Sequence, residues 1–195
     1  MSLNVHTVDL HTEEGDVLSR RERGRDAGRR AVDAASDGNK HVLLSFYGIE
    51  VASTAFLDEL LTTIHPLTMG GGSGRLLVAV GLNDAVRDAF ALVLERRKLM
   101  MASLTENEVE LLGGADVLRE TVNAAIQLGD TPTAPELAEH LDVKLTALHQ
   151  RVRALTESGV LAEALERTGE RGTRRAFYTP MNDDIKQAAK ALVPA

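Results

Sequence analysis

The chain has 195 residues, of which 44% are apolar and 26% charged, with 22 basic side chains against 29 acidic ones and no cysteine. That length suits one large domain or two small ones, and the apolar share is enough to build a core. The lack of cysteine excludes disulfides, thiolate zinc sites, Fe–S clusters and cysteine nucleophiles. No apolar run approaches the ~20 residues of a membrane span and no signal-peptide h-region opens the chain, so a cytoplasmic protein that does not engage membrane is expected. A net charge of −7 opposes indiscriminate coating of nucleic acid, although a local basic surface can hide within such a sum.

The first half alternates strand-like and helix-like segments. Leu3–Leu10 reads as an edge strand. Ser19 and Glu22 have the spacing of a capping box, and the helix they open runs to about Ser36, with Ala27, Ala31, Ala34 and Ala35 near helical spacing. Its other face carries Arg20, Arg21, Arg23, Arg25, Arg29 and Arg30, and Asp37-Gly38-Asn39 stops it. Lys40–Tyr47 is a strand. Thr54–Ile64 is a helix with Phe56, Leu57, Leu60, Leu61 and Ile64 inward and Asp58 and Glu59 outward. Arg75–Gly81 reads as a fully buried strand. Asn83 or Asp84 caps a helix to about Arg97 with Val86, Phe90, Val93 and Leu94 inward, and Lys98–Ser103 is a further strand that Val109–Leu112 extends. Strands alternating with helices of this length predict an α/β layer.

The second half is built differently. After Gly113-Gly114 come three helical patterns with no strand between them: Ala115–Leu128, Ala134–His140 behind Thr133 as N-cap, and Leu145–Ser158 with Leu145, Leu148, Val152 and Leu155 inward. Gly159 ends the third helix. Val160–Leu165 and Arg174–Tyr178 are strands around a turn containing Gly169 and Gly172, and Asn182–Leu192 closes as a short helix. The boundary between the halves falls near residues 104–115, and the chain divides into domains 1–104 and 105–195.

The order helix, helix, turn, helix, two-stranded hairpin over Thr131–Pro180 resembles the winged helix-turn-helix of MarR- and ArsR-type regulators, through ELAEHLDV, ALHQRVRALTESGVL and GTRRAFYTP. The resemblance implies an α+β domain whose third helix enters a DNA major groove. With Leu148, Val152 and Leu155 inward, its outer face is Thr146, Ala147, His149, Gln150 and Arg153, flanked by Lys144 and Arg151. Gln pairs with adenine and Arg with guanine, while small side chains meet a thymine methyl. Arg167, Arg171, Arg174 and Arg175 of the wing suit phosphates or the minor groove. Residues 105–195 hold ten basic and fifteen acidic residues, yet seven of those ten lie between Lys144 and Arg175. The other reading is a winged helix that serves as a protein-interaction module, which the acidic Glu136, Glu139 and Asp142 suit.

Ser19–Ile64 resembles the STAS-like domains of bacteria and archaea, relatives of anti-sigma-factor antagonists, through the SR opening, HVLLSFYGI and STAFLDELL, with a weaker continuation through RLLVAVG and VLERRKLM. In antagonists a Ser or Thr at this helix entrance is phosphorylated, which the resemblance transfers to Ser53 or Thr54; Ala52 stands where an aspartate would precede it, and Ala55 and Phe56 replace the usual glycine. A hydroxyl there has a simpler use, capping the helix N-terminus.

Other constellations fail. Met69–Arg75 (MGGGSGR) follows a helix and precedes a strand, the reverse of a phosphate loop. His6, His11, His41, His65, His140 and His149 have no metal-ligand spacing, and Asp58 and Glu59 point about 100° apart on a helix. The arginine-rich helix face is a solvated surface or, alternatively, a contact for DNA flanks or an acidic partner. No catalytic residue, metal or cofactor is expected. The expectation is a regulator, not an enzyme: a homodimer binding double-stranded DNA, whose STAS-like domain dimerises or senses a partner protein. The alternative is a protein-interaction switch of the antagonist type.

Overall fold

The computed structural model describes residues 3–36, 41–68, 74–105, 108–129, 131–167 and 173–193, with the backbone alone for 165–167 and 173–175. A five-stranded sheet runs β1 (Val5–Asp9), β3 (His41–Ser45), β5 (Leu77–Val80), β6 (Met100–Leu104), β7 (Val109–Gly113) in spatial order. The first four strands are mutually parallel, and β7 returns antiparallel beside β6, with Ala102 opposite Leu111. A two-residue parallel ribbon, β2 (Val17–Leu18) with β4 (Val51–Ala52), lies outside this sheet. The fold is mixed α/β with a largely parallel central sheet.

Each parallel step needs a crossover, and helices supply them: α1 (Leu10–Glu14) and α2 (Arg21–Ser36), then α3 (Thr54–Ile64), then α4 (Asp84–Arg97). The period-two alternation of the strands divides their side chains between two faces. Val42, Leu44, Leu77, Ala79, Met101 and Leu112 join the core with α2, α3 and α4. Leu43, Val78, Val80, Ala102, Leu104 and Leu111 join a second core with Val122, Leu137, Leu148, Leu155 and Phe177. Those residues belong to α5 (Asp116–Leu128), α6 (Ala134–His140), α7 (Leu145–Glu157) and the hairpin β8 (Ala162–Arg167) and β9 (Thr173–Tyr178); α8 (Asp183–Lys190) lies against β1 and β3. The sheet is therefore covered on both faces, which explains why β3 and β5 are apolar at nearly every position. No helix among the described residues is long and apolar enough to cross a membrane.

Several elements differ from expectation. Val109–Leu112 forms its own antiparallel strand rather than prolonging β6. The five-stranded sheet thus takes strands from both sides of position 104. Helix α2 opens at Arg21, so Arg20 rather than Ser19 precedes it. Asp58, expected outward, is 4% exposed, and Leu145, expected inward, is 42% exposed. Helix α1 and the β2–β4 ribbon are too short to leave a periodic signal.

Helices α2 and α3 pack through a row of small residues. A Cβ on Gly24 would stand 2.2 Å from the carbonyl oxygen of Phe56, so only glycine allows this approach. Asp58 joins α3 to α4: its carboxylate accepts two 2.7 Å hydrogen bonds from Arg97 and lies 3.0 Å from Arg96. Arg97 first, and then Arg96, hold the Asp58 carboxyl down at about 2 despite its burial. This explains its inward position: a carboxylate is tolerated inside when fully paired.

Candidate nucleic-acid interface

Helix α6 begins behind Thr133, whose N–H and hydroxyl both donate to the Glu136 carboxylate, at 2.8 and 2.7 Å. The chain leaves α6 in a tight turn in which Val143 N–H donates to Ala138 O at 3.0 Å. Asp142 takes φ +50°, a left-handed conformation that aspartate accepts more readily than most side chains. Lys144 precedes α7, and its carbonyl accepts from the Ala147 and Leu148 N–H groups.

Leu148, Val152 and Leu155 are 0%, 5% and 0% exposed, which anchors one stripe of α7 in the core. The opposite face follows from helical periodicity: Thr146, Ala147, His149, Gln150 and Arg153 are exposed, as is Lys144 at the entrance. The structure thus brings these six together on one surface. Arg151 is different; it is half-buried and donates to Val117 O of α5 at 3.4 Å, steadying the helix from its flank. Arg153 Nε donates to Glu157 Oε1 at 2.8 Å, but with 79% of its side chain exposed this pair is weak and readily exchanged. Thirteen residues make α7 about 20 Å long, and its diameter of about 10–12 Å suits a groove about 12 Å wide.

The hairpin starts directly after α7. Its register places Arg167 opposite Thr173, Arg174 opposite Glu166 and Arg175 opposite Leu165, all at the end remote from α7. Arg171, with Gly169 and Gly172, lies outside the described residues, as do Asp37-Gly38-Asn39 and residues 69–73 of the glycine tract. The carbonyl ends of α7 are pinned to the sheet. Thr68 Oγ1 donates to Glu157 O at 2.7 Å and Leu77 N–H donates to Gly159 O at 2.8 Å. Gly159 has φ +75°, and a Cβ there would meet Thr68 and Leu77 at 2.6 and 2.9 Å.

At the entrance of α3, Ser53 Oγ accepts from Phe56 N–H and donates to Ser19 O, both at 3.1 Å, while Thr54 is half-buried. Ser53 is thus a helix cap that also ties α3 to the segment before α2. The arginines of α2 are neutralised locally: Arg21 and Arg25 by Glu59, Arg23 by Glu14, Arg30 by Glu13 and Glu14, and Arg29 by Asp26. These pairs suit a solvated face, with Arg29 held only by an exposed Asp26 at 3.6 Å. His140 sits on the surface, 3.2 Å from Gln127. Among the described residues no three His, Cys, Asp or Glu side chains gather closely enough to hold a metal ion.

One buried titratable group escaped the sequence reading. His41, 6% exposed at the start of β3, accepts the Leu76 N–H on Nδ1 at 2.9 Å and stands edge-to-face with Tyr178 at 6.1 Å. Burial first, then nearby Arg75, lower its pKa to about 4 against the opposing pull of Asp184. It is a neutral pin between the sheet and the C-terminal elements, and nothing in the local pattern around residue 41 marks it, because its partners are distant in the chain. No family model, no curated protein and no solved structure compared with the chain matches it, so the reading of this surface rests on its own geometry.

Proposed function

We propose that the chain is a DNA-binding transcriptional regulator in which a winged helix-turn-helix reads duplex DNA and a STAS-like N-terminal unit dimerises or senses a partner or signal. The observation that carries this reading is α7: anchored by Leu148, Val152 and Leu155, it presents Thr146, Ala147, His149, Gln150 and Arg153 outward behind a tight turn from α6. Helix α7 would lie in the major groove, with Gln150 and Arg153 on base edges, Lys144 toward phosphates, Arg151 reaching them only by leaving Val117 O, and wing arginines on the backbone. A cytoplasmic homodimer would read two half-sites about one helical turn apart. The acidic remainder of the chain should penalise non-specific binding more than specific binding.

The test is affinity selection from a random duplex library, followed by gel shifts at several salt concentrations. Gln150→Ala and Arg153→Ala should relax sequence discrimination at individual positions, by about 1–3 kcal/mol for a bidentate base contact. Arg174→Ala with Arg175→Ala should weaken all sequences alike and flatten the salt slope. Absence of any salt-sensitive duplex binding would end the proposal. The antagonist-type switch draws less support, since the Ser53 hydroxyl is already engaged as a cap; phosphate on Ser53 or Thr54 in protein from its native host would favour it.

A further inference from the structure

An open cleft of about 440 Å³ lies beside the start of β5, within the size range of small-ligand sites. The last turns of α2 supply Arg29, Val32, Asp33 and Ser36, and the opposite wall includes Leu67 and Arg75. Arg75 carries the strongest sign of a missing partner. Its Nη1 reaches Leu67 O at a long 3.4 Å, and its Nε–H is buried without an acceptor among the described residues. A buried donor left unpaired costs free energy, which a turn of the Arg75 side chain toward an acceptor in the cleft would recover. Arg29 has a loose partner only: it is 3.6 Å from Asp26, and both side chains are more than half exposed. With two guanidiniums against the single Asp33 carboxylate among the described lining residues, the cleft favours an anion, while Val32 and Leu67 offer apolar contact.

We propose that this cleft binds a small organic anion, a carboxylate or phosphate carried on an apolar body, with Arg75 and Arg29 on the charged group and Val32 and Leu67 on the body. Occupancy has a direct route to α7. Thr68, next to Leu67, donates to Glu157 O in the last turn of α7, and Leu77, two residues after Arg75, donates to Gly159 O. A ligand that shifts the Leu67–Thr68 wall therefore displaces the end of the helix. The site itself does not depend on the DNA reading; only the consequence of moving α7 rests on it.

The test is nuclear magnetic resonance on the full ¹⁵N-labelled chain, titrated separately with benzoate and phenyl phosphate, with benzyl alcohol and inorganic phosphate as controls. Benzoate or phenyl phosphate should shift the Arg75 Nε–H and the Leu67 and Thr68 amides saturably, with the Gly159 amide moving in step, and benzyl alcohol should not. Arg75→Gln and the surface variant Arg29→Gln should each weaken the effect on the order of tenfold, as loss of a charge-assisted contact implies. Arg29 lies at the cleft rim, so its variant keeps the test valid even if Arg75→Gln disturbs folding. The proposal is overturned if neither organic anion gives saturable shifts, if Arg29→Gln binds as the parent does, or if inorganic phosphate matches phenyl phosphate. Probe binding in a chain that binds no duplex would sink the DNA reading alone.

Discussion

Replacing Asp58 with asparagine removes the charge that clamps α3 to α4 while preserving shape. The carboxyl is held at about 2 rather than its ordinary 3.8, which corresponds to roughly 2 kcal/mol of differential interaction at neutral pH. Two considerations bound that figure. The side chains of Arg97 and Arg96 are 43% and 62% exposed, so water screens part of the attraction. They can also turn toward solvent in the variant, so the larger penalty of a stranded buried charge does not apply. Against this, the asparagine amide offers one acceptor and one donor to a fork that only donates, which loses one bond of the bidentate pair. The expected cost is about 1–2 kcal/mol, or roughly 2–8 °C in Tm for a chain of this size. Because the folded pKa is depressed, the contribution is present above the unfolded value near 4 and fades as pH falls from about 4 toward 2. Urea unfolding of parent and Asp58→Asn at pH 7, 4 and 3 measures both effects. A stability gap below about 0.5 kcal/mol at pH 7, or one that stays constant down to pH 3, would refute the electrostatic account.

The remaining predictions concern packing and burial. Gly24→Ala forces a Cβ against the Phe56 carbonyl at 2.2 Å, and the strain should exceed the ~1 kcal/mol gained in helix propensity, giving a net loss of about 1–2 kcal/mol by urea unfolding; an unchanged midpoint would contradict the close approach. His41 is neutral when folded, so the unfolded chain takes up its proton first; stability should be complete above about pH 6.5 and fall toward pH 4, by up to about 3 kcal/mol, and His41→Phe should flatten that slope. If parent and variant unfold with the same pH dependence between 6.5 and 4, His41 is not the titrating group. A fragment of residues 1–104 would expose Leu43, Val78, Val80 and Leu104 and lack β7, forfeiting on the order of 10 kcal/mol of burial, so it should show no cooperative thermal transition; a sharp transition would show that the α2–α4 side of the core suffices.

How much was legible in the sequence depends on how local the cause is. Helix α3 matches its expected span, Thr54–Ile64, because hydroxyl, apolar stripe and terminus all act within a few residues. The outer face of α7 was legible for the same reason: once Leu148, Val152 and Leu155 turn inward, geometry leaves Gln150 and Arg153 outside. The pairing of Asp58 with Arg97 was not, since it spans 39 residues and nothing in either segment indicates the other. Leu145 misled because the same periodicity that selects a helix face does not say where that face ends.

The sequence by itself determined the alternation of strands and helices, the change to three successive helices after Gly113-Gly114, and the concentration of the second half's basic residues between Lys144 and Arg175. These depend on spacing along one chain segment, which side-chain periodicity and capping chemistry translate directly into backbone structure. Only the tertiary structure decided that β3 and β5 are sandwiched between α2–α4 on one face and α5–α8 on the other, and that the end of α7 is bonded to Thr68 and Leu77. An apolar strand records that both its faces are buried but not by what, because hydrophobic burial is non-directional and accepts any complementary surface. The identity of the covering layer, and with it the bonding of the end of α7 to Thr68 and Leu77, is settled by contacts between residues far apart in the chain.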